Sequence, residues 1–242
     1  MGNLTAAIYR TMVNMFTKRT CYCERANVRG AIEKKTRRDF QKEDTRRHIL
    51  KSAYHLFEKN GYDKTTMRQL ANHSGVGLGT AFKHFPDKAS LLIATFEGDI
   101  QSVIKEAFSS IPEANVHMQF EHVLRLLYGY YAKNRALSRV LVKEALFIEG
   151  QAGKAIHAQS MLFLEGIARL LQNAAERKEI IPIVDMQLAI TGFWSSYLLG
   201  LTVGLRDEEF NVEQQVDTVA KLLEVHFPRL DLMQIYLPLL LK

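Results

Sequence analysis

The chain has 242 residues, of which 47% are hydrophobic and 24% charged, as in an ordinary globular protein that buries its own core. These values exclude a mainly disordered or fibrous protein, and two cysteines are too few for a disulfide scaffold. The net charge of +6 is unevenly distributed: residues 1–90 carry 18 Lys and Arg against 8 Asp and Glu, and residues 91–242 carry 14 against 18. We therefore expect the first third of the chain to bind a polyanion.

Residues 1–43 are predicted to be a basic N-terminal arm or an over-long start of the chain. They contain no pattern of a secretory signal, and we expect a cytoplasmic protein. Cys21 and Cys23 have the spacing of a possible metal or redox pair. Without further ligands nearby, the two thiols are better explained as plain cysteines, and we predict neither a metal nor a cofactor.

A regular helical pattern begins at Asp44, and the alternation typical of strands is hard to find, which predicts an all-α protein of about nine helices. The first of these helices should end at Asn60-Gly61 in a left-handed cap. A second, short helix should begin at Thr66, because Gln69 three residues later completes a capping box.

The tripeptide Ser74-Gly75-Val76 is predicted to be a tight turn, followed by a third short helix from about Gly77 to His84 and a helix cap at Asp87. Two short helices joined by a three-residue turn form a helix-turn-helix, whose second helix fits the major groove of DNA. We assign residues 44–91 to this DNA-binding domain. Its two short helices should brace each other through Leu70, Ala71, Val76, Ala81 and Phe85.

One dense motif extends over residues 46–92. Its members are Phe57, Gly61, Thr65, Thr66, Leu70, Ala71, Ser74, Gly75, Val76, Gly79, Thr80, Phe82, His84, Phe85, Lys88 and Leu91. This pattern resembles that of the TetR family of bacterial transcriptional regulators. The resemblance implies an N-terminal three-helix DNA-binding domain followed by a helical bundle that binds a ligand and dimerises.

The resemblance also implies which residues contact DNA. Thr66 would cap the second helix and touch a phosphate, Arg68 would reach a base edge or a phosphate, and Lys88 would clamp a phosphate from the start of the next helix. The full set of expected contacts is Thr66, Arg68, Leu78, Gly79, Thr80, Phe82, Lys83, His84 and Lys88.

Two positions depart from the family pattern. Phe82 stands where a tyrosine hydroxyl usually meets the DNA, and Gly77 stands where a serine often caps the recognition helix. Both changes predict looser direct contacts. We hypothesise that the basic segment Lys34 to Lys42 compensates by binding phosphates.

Residues 92–227 are assigned to a helical regulatory and dimerisation domain, and residues 228–242 to an apolar C-terminal tail. Breaks in the pattern predict helices near 116–134, 136–149, 154–178, 185–204 and 212–227. The resemblance implies a ligand cavity, whose candidate lining is Phe120, Leu124, Tyr128, Tyr131, Phe147, Met161, Phe163 and Trp194. For any one of these residues, ordinary core packing is the simpler explanation.

The predicted helix 185–204 lies in a stretch without charge, from Met186 to Leu205, which fits a fully buried helix or, less simply, a membrane span. In the family the last two helices pair with their copies in a dimer. This implies an interface formed by Gly192, Ser196, Gly200, Gly204, Val212, Val216, Val219 and Leu223. Packing of the same small-residue row within one chain is the alternative.

Together these inferences predict a homodimeric, sequence-specific DNA-binding regulator that is not an enzyme and does not bind a membrane. The expected partners are a palindromic operator in double-stranded DNA and a small, largely apolar effector that releases a repressor from it. Two alternatives stay open. One is a DNA-binding regulator without a ligand, controlled by a protein partner or acting as an activator; the other is a helical enzyme or membrane-associated protein.

Overall fold

The computed structural model describes residues 36–183 and 185–228. These residues form nine α-helices, which confirms the predicted all-α class. The helices are α1 Arg37–Asn60, α2 Met67–His73, α3 Leu78–His84, α4 Lys88–Ser109, α5 Val116–Lys133, α6 Arg135–Phe147, α7 Gly150–Glu176, α8 Met186–Arg206 and α9 Val212–His226. The chain divides into two compact units, residues 1–48 and residues 49–242.

The first unit is described from Thr36, where a reciprocal cap begins α1. The Thr36 N–H donates to Asp39 Oδ2 (2.9 Å), and the Asp39 N–H donates to Thr36 Oγ1 (3.3 Å). Helix α1 therefore begins at Arg37, earlier than the predicted Asp44, and the predicted boundary between arm and DNA-binding domain falls inside a helix. Apolar periodicity cannot reveal the helical residues before Asp44, because residues 36–44 are all exposed.

In the second unit most helix ends lie close to their predicted positions, and several of them have a local cap. Gly61 follows α1 with a left-handed φ of 78°, and Asp87 caps α4 by accepting a 2.6 Å hydrogen bond from a backbone N–H. Helix α7 is the exception, since it begins at Gly150 and not near residue 154. Gly153 lies inside its first turn, where a Cβ would collide with a preceding carbonyl oxygen.

Helix α5 packs against α4 and α9 and is buried along one broad face. The Phe120 ring lies 5.2 Å from that of Phe193 on α8, and Tyr128 stacks on Tyr197 at 5.6 Å, measured between ring centroids. The Tyr128 hydroxyl donates a 2.8 Å hydrogen bond to the Tyr197 carbonyl oxygen, which satisfies the polar end of a fully buried ring. Burial raises the pKa of both phenols.

The small residues of α8 pack against other helices of the same chain. A Cβ at Gly200 would collide with Val219 of α9 and with the Tyr128 hydroxyl of α5. The buried members of the predicted dimer interface are Ser196, Gly200, Gly204, Val216, Val219 and Leu223. At Gly200, α9 and α5 of the same chain occupy the close approach that a glycine permits, which is the alternative of packing within one chain. The place of these six residues in a dimer interface stays a prediction. Gly192 and Val212 are half-buried, and their place in an interface stays a prediction.

The opposite face of α8 is exposed and partly apolar. Leu188 is 68% exposed and Leu199 is 51% exposed, and Ser195 and Thr202 share this face. The expectation of a fully buried helix is thus wrong for one side of α8. By length and composition α8 could cross a membrane, alone among the described helices, but the core helix of a globular protein meets the same criterion. Its close packing on α9 is that of a core helix.

Candidate nucleic-acid interface

Helix α2 begins with the capping box that the sequence predicts. The Gln69 N–H donates to Thr66 Oγ1 (3.2 Å), and the Thr66 N–H donates to Gln69 Oε1 (2.8 Å). Two backbone donors that the helix itself cannot satisfy are thereby paired, which defines where α2 starts. Thr66 and Arg68 are both exposed at this end of the helix.

We expect Thr66→Ala to lower the free energy of unfolding by about 1 kcal/mol, because it removes the acceptor for a backbone N–H in the first turn of α2. Thr66→Ser is the matched control, since serine keeps the hydroxyl oxygen. Chemical denaturation of both variants measures the difference. Equal stability of the alanine variant and the wild-type protein would contradict the capping role.

A tight turn joins α2 to α3, as predicted. Gly75 has a φ of +70°, a left-handed conformation that glycine adopts without strain, and the Val76 N–H donates to the Ala71 carbonyl oxygen (3.0 Å). The residues buried between the two helices are Leu70, Ala71, Ala81 and Phe85, while Val76 is half-buried. This burial agrees with the predicted bracing, and it holds α3 in a defined orientation on α2.

Helix α3 carries most of the other predicted contacts on its surface. The exposed ones are Gly79, Thr80, Phe82 and Lys83, and the half-buried ones are Leu78 and His84. Gly77 caps the helix without a side-chain hydrogen bond, which agrees with the weaker cap expected from its missing hydroxyl. The exposed residues form a short surface, hereafter the α3 surface, that combines a hydroxyl, a cation and an aromatic ring.

Lys88 has a different environment from the one expected. Its Nζ donates hydrogen bonds of 3.0 Å to the carbonyl oxygens of Tyr62 and Thr65, and it lies 4.0 Å from the centroid of the Tyr62 ring. An ammonium group has three N–H donors, and two of these are used within the chain. In the structure the main interactions of the Lys88 side chain are therefore with the loop at residues 62–65, and not those of a residue held free for a phosphate.

The loop at residues 61–65 is tightly folded. Thr65 is fully buried, and its hydroxyl donates to the Gly61 carbonyl oxygen (2.8 Å). Burial, and secondarily the Glu144 carboxylate, raises the pKa of Tyr62 to about 12. Tyr62 is not among the residues predicted from the sequence to be functional, and its one local signal is its position directly after the left-handed Gly61.

A cavity of about 300 Å³ lies between this loop and the start of α6. Two residues of its lining are hydrogen-bonded to each other, since the Asn134 amide donates to Glu58 Oε1 (3.2 Å). The lining consists of Phe57, Glu58, Asn60, Gly61, Tyr62, Asp63, Lys64, Asn134, Ala136, Leu137 and Val140. None of the predicted ligand-pocket residues is among them.

The predicted ligand-pocket residues are mostly packed in the core. Those buried are Phe120, Leu124, Tyr128, Tyr131 and Phe163, and those half-buried are Met161 and Trp194. The Phe163 ring lies 5.3 Å from Tyr197 and 6.1 Å from Trp194, measured between ring centroids. Phe147 is 70% exposed, so the prediction that it lines a pocket is wrong: α6 ends at this residue and the side chain faces solvent.

The histidines of α5 do not form a metal site. His117 Nε2 lies 3.0 Å from the Phe227 carbonyl oxygen, whereas His122 Nε2 lies 2.9 Å from Ser110 Oγ. Within residues 36–183 and 185–228, no three potential ligands come together. Cys21 and Cys23, the arm before Thr36 and the tail after Pro228 lie outside the described residues.

The family model described as "Bacterial regulatory proteins, tetR family" matches residues 49–95 of this chain, which include α2, α3 and the start of α4. The HTH-type transcriptional regulator AcrR of Shigella flexneri is 26% identical over 207 residues, covering 81% of this chain and 94% of that protein. The HTH-type transcriptional repressor KstR of Mycobacterium tuberculosis is 22% identical over 181 residues, covering 74% and 80% respectively.

The transcriptional regulator FadR from Bacillus subtilis, solved in complex with stearoyl-CoA, has a similar fold. The two structures superpose with a TM-score of 0.59 and 21% sequence identity, covering 73% of this chain and 96% of the FadR chain. All three relatives are transcriptional regulators. The helix-turn-helix of this chain, at residues 49–95, is thus that of the TetR family of bacterial regulatory proteins, and the chain is a DNA-binding transcriptional regulator.

Proposed function

We propose that the protein is a homodimeric repressor that binds a palindromic operator in the bacterial cytoplasm and leaves it when a small, largely apolar ligand binds. The observation that supports this proposal best is the capped and braced pair α2–α3, with the α3 surface turned to solvent. A helix presented in this way fits the major groove.

In this proposal α3 enters the major groove and α2 lies across its edge. Leu78 and Gly79, in the first turn of α3, and the exposed Phe82 approach the bases. Phosphates are contacted by Thr66, Thr80, Lys83 and His84. Arg68, exposed in the first turn of α2, reaches a base edge or a phosphate.

The dimer is proposed to form through the exposed face of α8. Leu188 and Leu199 on α8, together with the exposed Val225 on α9, supply apolar surface for a second copy. This face is opposite the small-residue row that the sequence favoured. A two-fold axis through it would let two α3 helices bind half-sites about 34 Å apart, which a palindromic operator requires.

The effector is proposed to be apolar because a cavity that opened between α5, α7 and α8 would be lined by the apolar and aromatic side chains now packed there. FadR from Bacillus subtilis, which has a similar fold, was solved in complex with stearoyl-CoA, an acyl compound. Helix α4 would carry the signal, since it starts next to the helix-turn-helix and packs on α5, α6 and α7. A ligand that prefers a different α4 position would lower the affinity for DNA.

A regulator without a small-molecule ligand is the second candidate. It is favoured by one observation: the buried ring of Phe193 on α8 contacts both Phe120 on α5 (5.2 Å) and Phe163 on α7 (6.0 Å), measured between ring centroids. Such a protein would respond to a protein partner, or would act as an activator. A screen of acyl compounds for release of the bound operator separates the two candidates.

The test of the proposed function is a selection of the purified protein against random duplex DNA, read by sequencing. An enriched palindrome with half-sites about one helical turn apart supports a dimeric, sequence-specific regulator. Failure to enrich any sequence at low salt would overturn the proposal.

We expect Arg68→Ala to weaken binding to the selected operator by about 1–3 kcal/mol if the guanidinium reads a base, with the loss confined to operators that carry the preferred base at one position. Arg68→Lys is the matched control, because lysine keeps the charge but cannot form the two parallel hydrogen bonds of a guanidinium. Binding titrations against operators altered one base pair at a time give the answer. An equal loss on every operator would assign Arg68 to a phosphate.

We expect removal of residues 1–35 to weaken DNA binding and to flatten its dependence on salt, because the basic residues of the arm, including Lys34 and Lys35, would no longer displace counterions from phosphates. Truncation before Thr36 keeps both α1, which begins at Arg37, and its cap by Thr36. A full-length variant with glutamine at Lys34, Lys35, Arg38 and Lys42 separates the effect of charge from that of chain length. Unchanged affinity and salt dependence in both variants would refute the role of the arm.

A further inference from the structure

We propose that Lys88 is a positioning residue for DNA binding: it ties the first turn of α4 to the loop that sets the start of α2, and it acts by orienting the helix-turn-helix. The inference rests on the proposed function only in requiring that the protein bind duplex DNA. It assigns to Lys88 a role different from a phosphate contact.

The position of the ammonium group supports this role. The carbonyl oxygens of Tyr62 and Thr65 each accept a 3.0 Å hydrogen bond from Lys88 Nζ, and the face of the Tyr62 ring lies 4.0 Å away. All three neighbours present negative partial charge to the cation. To reach a phosphate instead, the ammonium would give up two charge-assisted hydrogen bonds, each stronger than one between neutral groups. We name this arrangement the Lys88 clasp.

The clasp lies directly before the start of α2. Lys88 binds the Thr65 carbonyl oxygen, and the next residue, Thr66, forms the capping box from which α2 begins. Tyr62 O also accepts from the Thr65 N–H (3.1 Å), so the two carbonyls belong to one closed turn. A displacement of the first turn of α4 is therefore passed to the capped end of α2, and from there to α3.

The clasp also lies where the DNA-binding helices meet the regulatory helices. Tyr62 lines the cavity beside α6, and its loop is the segment between α1 and α2. Asp87 caps α4 immediately before Lys88, so the backbone at the base of the lysine side chain is held in place. The side chain therefore connects two fixed points, one on α4 and one on the loop.

Lys83 provides the matched control. It is a lysine of the same short region, but it is exposed on α3, as expected of a residue that contacts phosphate. Lys83→Met and Lys88→Met remove the same charge and keep a similar aliphatic stem. The two roles differ in salt dependence: a lost phosphate contact lowers the slope of log K against log salt by about 0.9, whereas a lost positioning contact leaves the slope unchanged.

The experiment titrates wild-type protein, Lys88→Met and Lys83→Met with the selected operator and with an unrelated duplex at four salt concentrations, at a temperature where circular dichroism shows all three to be folded. Hydrogen exchange of residues 62–69 is measured on the same proteins without DNA. For Lys88→Met we expect about tenfold weaker operator binding, a smaller loss on the unrelated duplex, an unchanged salt slope and faster exchange in residues 62–69. For Lys83→Met we expect a slope lowered by about 0.9 and unchanged exchange.

Three results would overturn the proposal. A slope lowered as in Lys83→Met, with unchanged exchange, would make Lys88 a phosphate contact. Unchanged operator affinity with a lower melting temperature would make it merely structural. If the wild-type protein bound no duplex, the proposed function would fail. In that case, unchanged hydrogen exchange of residues 62–69 in Lys88→Met would overturn the Lys88 clasp as well. Should Lys88→Met not fold, Lys88→Gln and Lys83→Gln replace the two methionine variants. Because the glutamine amide can still donate to a carbonyl oxygen, a positioning role predicts a smaller loss of affinity with an unchanged salt slope, and a slope lowered by about 0.9 would overturn the proposal.

Discussion

Replacing Gly200 with valine is expected to lower the free energy of unfolding by about 3 kcal/mol or more, and the melting temperature by about 6–12 °C. A Cβ at this position already collides with Val219 and with the Tyr128 hydroxyl. Neither neighbour can move cheaply, because Val219 is fully buried and the Tyr128 hydroxyl is hydrogen-bonded to the Tyr197 carbonyl oxygen. The added side chain would therefore force α8 away from both α5 and α9.

Gly98→Val is the matched control for this substitution. Gly98 is also inside a long helix, α4, but it is exposed and a Cβ there would meet no atom within 4 Å. Valine has a slightly better helix propensity than glycine, so we expect Gly98→Val to leave stability unchanged or to raise it slightly. Calorimetry of both variants decides the point. Equal melting temperatures would show that the small-residue row of α8 does not pack within the chain as described.

Replacing Leu199 with glutamate is expected to convert the proposed dimer into monomers. In a two-fold interface each copy would bring a carboxylate into an apolar contact, so both protomers would bury an unpaired charge. A cost of about 3 kcal/mol corresponds to a rise of more than a hundredfold in the dissociation constant. Because only a dimer spans two half-sites, operator binding should fall with dimerisation while binding to a single half-site persists.

Leu162→Glu is the control for the dimer experiment. Leu162 on α7 is 51% exposed, the same fraction as Leu199, and the chemical change is identical. Sedimentation equilibrium should show this variant with the oligomeric state of the wild-type protein. A dimer that survives Leu199→Glu but not Leu162→Glu would move the interface to α7 and remove α8 from the proposal.

Local features of this fold could be predicted from the sequence because their causes are local. The capping box of Thr66 and Gln69, the left-handed glycines at 61 and 75 and the Asp87 cap each depend on residues within a few positions of one another. The start of α1 at Arg37 could not be predicted, because the first turns of the helix are exposed and carry no apolar stripe.

Long-range features could not be predicted in the same way. A row of small residues on α8 indicates a close helix neighbour, but it does not say whether that neighbour is α9 of the same chain or a helix of a second copy. Lys88 meets Tyr62 across 26 positions, and no periodicity connects them. A basic residue at the start of a helix is as compatible with a phosphate contact as with a contact inside the chain. The Lys88 clasp is therefore evident only from the folded structure.

In the proposed complex with DNA, the exposed phenyl ring of Phe82 would change which features of the bases α3 recognises. A tyrosine hydroxyl would recognise hydrogen-bonding groups, but a bare ring in the major groove distinguishes bases mainly by contact with the methyl group of thymine. Cytosine methylated at carbon 5 carries a methyl group at the equivalent place in the groove. Where Phe82 faces such a base, occupancy of the operator would depend on whether the DNA has been chemically marked as well as on its sequence.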